Sequence, residues 1–243
     1  MFPWIVAHRG AMAEAPENTF SAFDRALLHG VDGIEFDVQA SRDGVPVIFH
    51  DPHLKKINRS NQPVCAYSYA ALCEMDWGAW FSKDFRGEPI PTLEAVLSRY
   101  AGKTRLLIEI KPVDPNECPL SGEMLAEQVT KSIRSSVPEE FSDRVMILSF
   151  DAAILEAAAR QAGAAACAQN LETDRLALHE LPACVQAVSL PFRRMTDQFA
   201  ARCHERGLRV MTYSCNSPKQ VEKARGMGID VIMTDDPARV CPY

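Results

Sequence analysis

Three short runs read as buried strands except that each delivers paired polar residues at its end: Ile5-Val6-Ala7-His8-Arg9-Gly10, Gly33-Ile34-Glu35-Phe36-Asp37-Val38 and Leu106-Leu107-Ile108-Glu109-Ile110-Lys111. Residues two apart in a strand share a face, so Glu35 and Asp37 point the same way, as do Glu109 and Lys111. Burying an unpartnered charge costs several kcal/mol. A fold that accepts three such strands therefore has to lay them side by side, so that the carboxylates, Arg9 and Lys111 answer one another or a shared metal ion and phosphate.

The rest of the chain alternates between β-branched apolar runs and stretches with helical spacing. Trp4 to His8 reads as the first strand, and Asn18 to His29 as a helix with Phe20, Phe23, Ala26 and Leu27 on one side, capped by Asn18 or Thr19 and ended by Gly30. Ile34 to Ala40 is the second strand. Asp43-Gly44 signals a two-residue hairpin that returns the chain through Val45, Val47 and Phe49 to His50-Asp51. Pro91 to Tyr100 is expected as a helix with proline at its first position. Strands at Arg105 to Ile110 and Val145 to Ser149 are followed by helices at Leu125 to Ser136 and Ala152 to Gln161. Ala164 to Gln169 and Ala187 to Leu190 are weaker strands. A helix at Thr196 to Arg206, a strand at Arg209 to Cys215, a helix at Pro218 to Arg225 and a strand at Val231 to Thr234 complete the chain.

About eight β-then-α units predict an α/β protein whose parallel sheet closes into a (β/α)8 TIM barrel. The alternative, an open doubly wound sheet, carries a glycine-rich phosphate loop after its first strand, and this chain has none there. Residues 52–90 break the rhythm after the second strand. They lack clean periodicity and carry Pro63, Trp77, Trp80 and Phe81, and read as a small insertion, a subdomain or lid, within one domain spanning residues 1–243.

The 47% hydrophobic and 24% charged content is that of a soluble globular protein. A formal net charge of -6 offers nucleic acid or an anionic membrane no electrostatic footprint, so an anionic substrate needs a local positive site. The 8 cysteines form no C-x-x-C pair and no zinc-like spacing. No basic region or apolar stretch of signal length precedes His8, and no membrane span is evident. The expectation is a cytoplasmic protein with free thiols. Oligomeric state is left open.

Three carboxylates meeting at strand ends repel one another unless a cation joins them. Oxygen ligands without nearby cysteine favour Mg²⁺ or Ca²⁺ over zinc. A set of buried ion pairs, such as Glu109 with Arg9 or Lys111, is the plainer reading of any one strand. His8 and His50 each end an apolar run beside a charged neighbour, Arg9 or Asp51, and histidine exchanges protons near neutral pH. Arg9 and Lys111 supply positive charge for a phosphate, Arg9 in bidentate fashion, or balance the acids.

The stretches His8-Arg9-Gly10, Pro16-Glu17-Asn18-Thr19, Glu35-Phe36-Asp37-Val38, Asp43-Gly44 and His50-Asp51 resemble the glycerophosphodiester phosphodiesterase family in order and spacing. The likeness continues through Gly87-Glu88-Pro89-Ile90-Pro91-Thr92-Leu93-Glu94, Glu109-Ile110-Lys111 and Thr234-Asp235-Asp236-Pro237, nearly to the end of the chain. The resemblance implies a (β/α)8 barrel, a divalent cation held by Glu35, Asp37 and Glu109, an acid–base pair of His8 and His50, and a phosphate held by Arg9 and Lys111. In a late strand the family commonly has a Trp-Thr-x-Asn run where this chain has Tyr213-Ser214-Cys215-Asn216. The resemblance thus places Tyr213 against the glycerol carbons, with an added hydroxyl. The segment Asp76-Trp77-Gly78-Ala79-Trp80-Phe81 resembles the family's aromatic insertion, either walling the pocket or packing the insertion's own core.

The expected activity is that of a hydrolase of lipid and glycerol metabolism: a phosphodiesterase that releases glycerol 3-phosphate and an alcohol from small-molecule glycerophosphodiesters, with attack by water or through a cyclic phosphate. Two other readings are a lysophospholipase D or sphingomyelinase-D-like phosphodiesterase, and a non-catalytic barrel that binds a phosphate ligand.

Overall fold

The computed structural model describes residues 3–161, 165–175 and 178–241. In chain order its elements are β1 (Trp4–His8), α1 (Phe20–Leu28), β2 (Gly33–Ala40), β3 (Pro46–Ile48), α2 (Lys55–Asn58), α3 (Tyr69–Cys73), α4 (Leu93–Tyr100), β4 (Arg105–Ile110), α5 (Gly122–Ser136), β5 (Val145–Ser149), α6 (Ala152–Ala159), β6 (Ala166–Asn170), β7 (Val185–Pro191), α7 (Asp197–His204), β8 (Arg209–Tyr213), α8 (Pro218–Gly226), β9 (Val231–Thr234) and α9 (Pro237–Val240). The strand order is β1-β9-β8-β7-β6-β5-β4-β2-β3, and the further β1–β2 pairing closes the ring. Every pairing around the ring is parallel, and only β3 joins β2 antiparallel. This is a (β/α)8 barrel. Between β6 and β7 the described residues hold a 3-10 turn, Leu178–Glu180, in place of a helix.

The pleat sorts the side chains. Ile5, Ala7, Ile34, Phe36, Val38, Leu106, Ile108 and Ile110 face outward into the shell of helices. Val6, Leu107, Met146, Leu148, Ala168, Ala187, Met211, Val231 and Met233 fill the barrel interior. His8, Glu35, Asp37 and Glu109 keep the inward phase at the C-terminal strand ends. Register aligns His8 with Glu35 and Asp37 with Glu109 on neighbouring strands.

β1, β4, β5 and β9 coincide with the sequence reading residue for residue. At the helix starts capping moves the boundaries. Thr19 rather than Asn18 caps α1, its hydroxyl accepting from the Ala22 N–H at 3.3 Å. Proline does not open α4: Thr92 is the cap, accepting from the Ala95 N–H at 3.2 Å. Pro91 stays outside the helix because its carbonyl takes the Ile48 N–H at 2.9 Å. The hairpin after β2 is wider than two residues. Ser41 N–H donates to the Val45 carbonyl at 3.0 Å, and Gly44 turns the chain at φ +81°, which a three-residue loop with a left-handed last residue requires. The expected strand start at Ala164 lies outside the described residues.

Residues 52–90 carry α2, α3 and two 3-10 turns, Val64–Ala66 and Lys83–Phe85. Their apolar side chains join Val47 and Phe49 in a cluster with Leu54, Val64, Leu72, Trp77 and Ile90 that is separate from the two barrel clusters. Trp77 meets Phe49 edge-on at 5.3 Å, and Phe81 meets Phe85 at 5.6 Å. Among the described residues, no helix is long and apolar enough to cross a membrane.

Candidate active site

At the C-terminal end of the barrel, His8, Arg9, Glu35, His50, Glu109, Lys111 and Tyr213 line a cavity of about 90 Å³. Asp37 lies behind this wall, 1% exposed. Larger hollows of about 330 and 430 Å³ contain Trp4 and Arg209. Both residues begin their strands, so these hollows lie at the opposite end, and none of the expected site residues lines them. A cleft of about 680 Å³ opens beside the small cavity and shares its walls Phe150 and Tyr213.

The carboxylates of Glu35, Asp37 and Glu109 offer oxygens that all lie within 4.8 Å of one another. Lys111 Nζ donates to Glu109 Oε1 at 2.6 Å and stands 3.3 Å from Asp37 Oδ1. Arg9 Nε lies 3.3 Å from Asp37 Oδ2, without the geometry of a hydrogen bond. Burial, then the Asp37 carboxylate, pushes the Glu35 carboxyl up to about 8. Burial and Asp37 also raise Glu109. Burial acts on Asp37 as well, but Lys111 and Arg9 overcome it and hold Asp37 below the usual carboxylate range. Two cations thus leave a three-carboxylate cluster short of charge balance, and like charges this close push Glu35 and Glu109 upward.

The chain before α1 shapes this cluster. Arg9 and Gly10 both take positive φ, 55° and 83°, and the turn aims the Arg9 N–H at Glu35 Oε2 at 3.1 Å. Asn18, also at positive φ (59°), donates from Nδ2 to Asp37 Oδ2 at 2.8 Å.

His8 pairs with Asp235, with 2.6 Å between Nδ1 and Oδ1. Ser214 Oγ donates to the same Asp235 oxygen at 2.8 Å, and Asn216 Nδ2 donates to Oδ2 at 2.6 Å. Burial works against ionisation of both partners. The hydrogen bond nevertheless raises His8 above its ordinary value and, with Asn216 and Ser214, holds Asp235 down at about 2. His8 Nε2 faces Glu35 Oε2 at 3.9 Å, and its ring stacks on Tyr213 with centroids 6.0 Å apart. His50 Nδ1 pairs with Asp51 Oδ1 at 3.0 Å.

Glu17, His50 and Asp51 also bring ligand-type atoms within 4.8 Å of one another. Lys56 already answers them, 2.7 Å from Glu17 and 3.1 Å from Asp51, and Arg9 lies 3.3 Å from Glu17. That group is an ion-pair network rather than a second cation site.

Several site residues have no assigned role in the sequence reading: Asp235, Ser214, Asn216, Asn18 and Asn170. Asp235 is signalled by its place just after the last strand, which a closed barrel sets beside the first. Asn18 reads from sequence as a helix cap, and only the turn at Arg9-Gly10 redirects it. Trp77, Trp80 and Phe81 do not line the cavity; Trp77 is 3% exposed and packs the core of residues 52–90.

The structure is similar to that of an Oleispira antarctica phosphodiesterase in complex with the product sn-glycerol-3-phosphate, with TM-score 0.88 and 24% identity over 98% of this chain and 95% of that one. It is also similar to a glycerophosphodiester phosphodiesterase from Agrobacterium tumefaciens, with TM-score 0.79, 26% identity and full coverage (100%) of both chains. In sequence the chain is 31% identical to the YhdW protein of Bacillus subtilis over 96% of its own length and 95% of the relative's. It is 30% identical to the glycerophosphodiester phosphodiesterase of Caldanaerobacter subterraneus over 96% and 94%. The model of the glycerophosphoryl diester phosphodiesterase family matches residues 8–239. The chain therefore belongs to the glycerophosphoryl diester phosphodiesterase family, and like its relatives it is a phosphoric diester hydrolase.

Proposed function

We propose that this protein hydrolyses glycerophosphodiesters to glycerol 3-phosphate and an alcohol, using one divalent cation, Mg²⁺ or Ca²⁺, held by Glu35, Asp37 and Glu109. The observation that carries the reading is the convergence of these three buried carboxylates with Arg9 and Lys111 on one small cavity. Its charges fit the proposal. Three carboxylates against two cations leave one negative charge, and the phosphate of a diester adds another. A divalent cation offsets both, and an all-oxygen donor set suits a hard ion. When bound, the cation supplies the charge that stabilises negative charge growing on the phosphate oxygens.

The chain's own groups do the rest. Arg9 and Lys111 hold the phosphate. Asp235 occupies His8 Nδ1, so Nε2 is the nitrogen that accepts a proton from the attacking water or neighbouring glycerol hydroxyl. His50, oriented by Asp51, gives a proton to the leaving alkoxide. Tyr213 packs against the glycerol carbons. Residues 52–90, with their separate apolar cluster, act as an insertion subdomain within the single domain. The product bound in the Oleispira antarctica structure supports a small glycerol phosphate ligand.

The test is release of glycerol 3-phosphate from glycerophosphocholine and glycerophosphoethanolamine, by coupled assay, in EDTA and then with added Mg²⁺ or Ca²⁺. Ion-dependent release from either is the expected result. Equal release in EDTA sinks the role of the carboxylates, and no release under any ion sinks the reaction.

A further inference from the structure

Two polar atoms in the cavity wall have no partner. Asn170 on β6 and Ser189 on β7 are register partners on neighbouring strands, both line the cavity, and they are 3% and 0% exposed. The Asn170 amide is committed on one side only, its Nδ2 donating to Glu109 Oε2 at 2.9 Å. That bond turns the other end, Oδ1, away from the carboxylate. Among the described residues, neither Asn170 Oδ1 nor Ser189 Oγ has a hydrogen-bond partner. Buried polar groups are ordinarily bonded, and an orphan destabilises the fold that holds it.

The surroundings say what could meet them. The cavity holds Arg9 and Lys111 beside His8, Glu35, His50 and Glu109, and Leu148, Phe150, Tyr213 and Met233 supply the apolar part of its wall. A ligand whose phosphate lies at the cations lays its next atoms along this apolar wall, interrupted by an amide oxygen that only accepts and a hydroxyl that donates or accepts. A short carbon chain bearing two hydroxyls matches that surface.

We infer that Asn170 Oδ1 and Ser189 Oγ hydrogen-bond the two free hydroxyls of the glycerol arm and make the site select glycerol over arms that lack a hydroxyl. The inference rests on the glycerophosphodiester reading above and adds the residues that set its substrate class. A site built to bond a hydroxyl rejects the analogue lacking it, because its own polar atoms are then stranded.

Calorimetric binding of glycerol 3-phosphate and of 2-hydroxypropyl phosphate, which lacks the terminal hydroxyl, tests this directly with Mg²⁺ or Ca²⁺ present. The wild type is expected to bind glycerol 3-phosphate about tenfold more tightly or better. Ser189→Ala is expected to shrink that ratio by about threefold to tenfold, the worth of one neutral hydrogen bond. The Tm of its ligand-free form should hold or rise, since an orphaned hydroxyl is removed. Asn170→Ala, which removes the partner of the hydroxyl that both ligands keep, should weaken both about equally and leave the ratio unchanged. Equal binding of both ligands by the wild type, or an unchanged ratio in Ser189→Ala, overturns the inference. So does a lowered Tm for Ser189→Ala, which shows the hydroxyl bonded in the free protein. Discrimination between the two phosphates without turnover of any diester sinks the hydrolase reading and leaves the glycerol site standing.

Discussion

His8 and Asp235 lie at opposite ends of the sequence and meet at 2.6 Å, because β1 and β9 close the barrel side by side. The carboxylate is itself held by Ser214 and Asn216, so the imidazole has one nitrogen occupied and the other turned toward Glu35. An acid in this position fixes the tautomer and stabilises the protonated ring.

Asp235→Asn keeps the shape and removes the charge. We expect kcat for glycerophosphocholine to fall on the order of 10² to 10⁴-fold. KM should change far less, because Asp235 does not line the cavity. The neighbouring Asp236 caps α9 through the Arg239 N–H at 3.2 Å. Asp236→Ala should therefore cost about 0.5–2 kcal/mol of stability and leave kcat alone. Steady-state kinetics and melting curves of the two variants separate a positioning acid from a structural one. Equal kinetics in both would remove Asp235 from the mechanism.

The carboxylate cluster predicts a stability effect that needs no substrate. Burial and Asp37 push Glu35 up to about 8, so the ion-free protein carries an unfavourable cluster that a divalent cation relieves. Mg²⁺ or Ca²⁺ at a hundred times its Kd should stabilise the fold by about 2.7 kcal/mol, a Tm rise of roughly 5–10 °C for a chain of this size. Glu35→Gln should leave the Tm in EDTA unchanged or higher and remove most of the ion-induced rise. A thermal shift that survives in Glu35→Gln would place the ion elsewhere.

What the sequence made legible follows from how local each signal is. β5 and β9 are β-branched or apolar runs that announce themselves, and the alternation within β2 and β4 is enough to turn Glu35, Asp37 and Glu109 toward the barrel interior. The caps were readable only as choices. Thr19 and Asn18 are both good caps, and the decision lies in the left-handed turn that hands Asn18 to Asp37. Pro91 resembles a helix opener because its use, a carbonyl for Ile48 on β3, involves a residue 43 positions away in the chain. Ser189, in a weak strand, and Asn170, one residue past the expected end of another, were hidden for the same reason, since a single polar residue there gains meaning only from the cavity that it faces.

Asp235 and Asp51 add to the acid sensitivity that the buried Asp37 already gives the fold. Asp235 is held at about 2 against its burial by His8, Asn216 and Ser214, and Asp51 at about 2 by its hydrogen bond to His50 and by Lys56. Both lie below the ordinary 3.8. A depressed folded value means that the contribution is complete above the unfolded value and is lost as pH falls through the folded one. The loss is expected between about pH 4 and pH 2, and for Asp235 it amounts to about 2 kcal/mol at most. Asp51 is more exposed and contributes less. Denaturant melts at pH 5.5 and pH 3 should show the drop, and a smaller one in Asp235→Asn. An identical drop in that variant would move the acid sensitivity to other groups.

Gly10 is the residue on which the turn to Arg9 depends. Its φ is +83°, and a Cβ there would sit 2.7 Å from both the carbonyl carbon and the Cβ of Ala22. Ala22 is buried in α1, and its carbonyl already takes the Ala11 N–H at 2.9 Å, so neither side can yield. Gly10→Ala combines a left-handed penalty of about 1–2 kcal/mol with an overpacking cost of about 1–3 kcal/mol. Its Tm should fall by roughly 5–15 °C. Gly30 provides the control: φ is +69°, but nothing lies within 4 Å of its Cβ position, so Gly30→Ala should lose about 1 kcal/mol and keep full activity. The two variants also differ in function, because shifting Gly10 moves the Arg9 N–H off Glu35. At a temperature where both are folded, only Gly10→Ala should show reduced kcat and a weaker ion-induced Tm rise. Matching melting points and matching kinetics for the pair would show that the turn tolerates a side chain and that the placement of Arg9 does not depend on it.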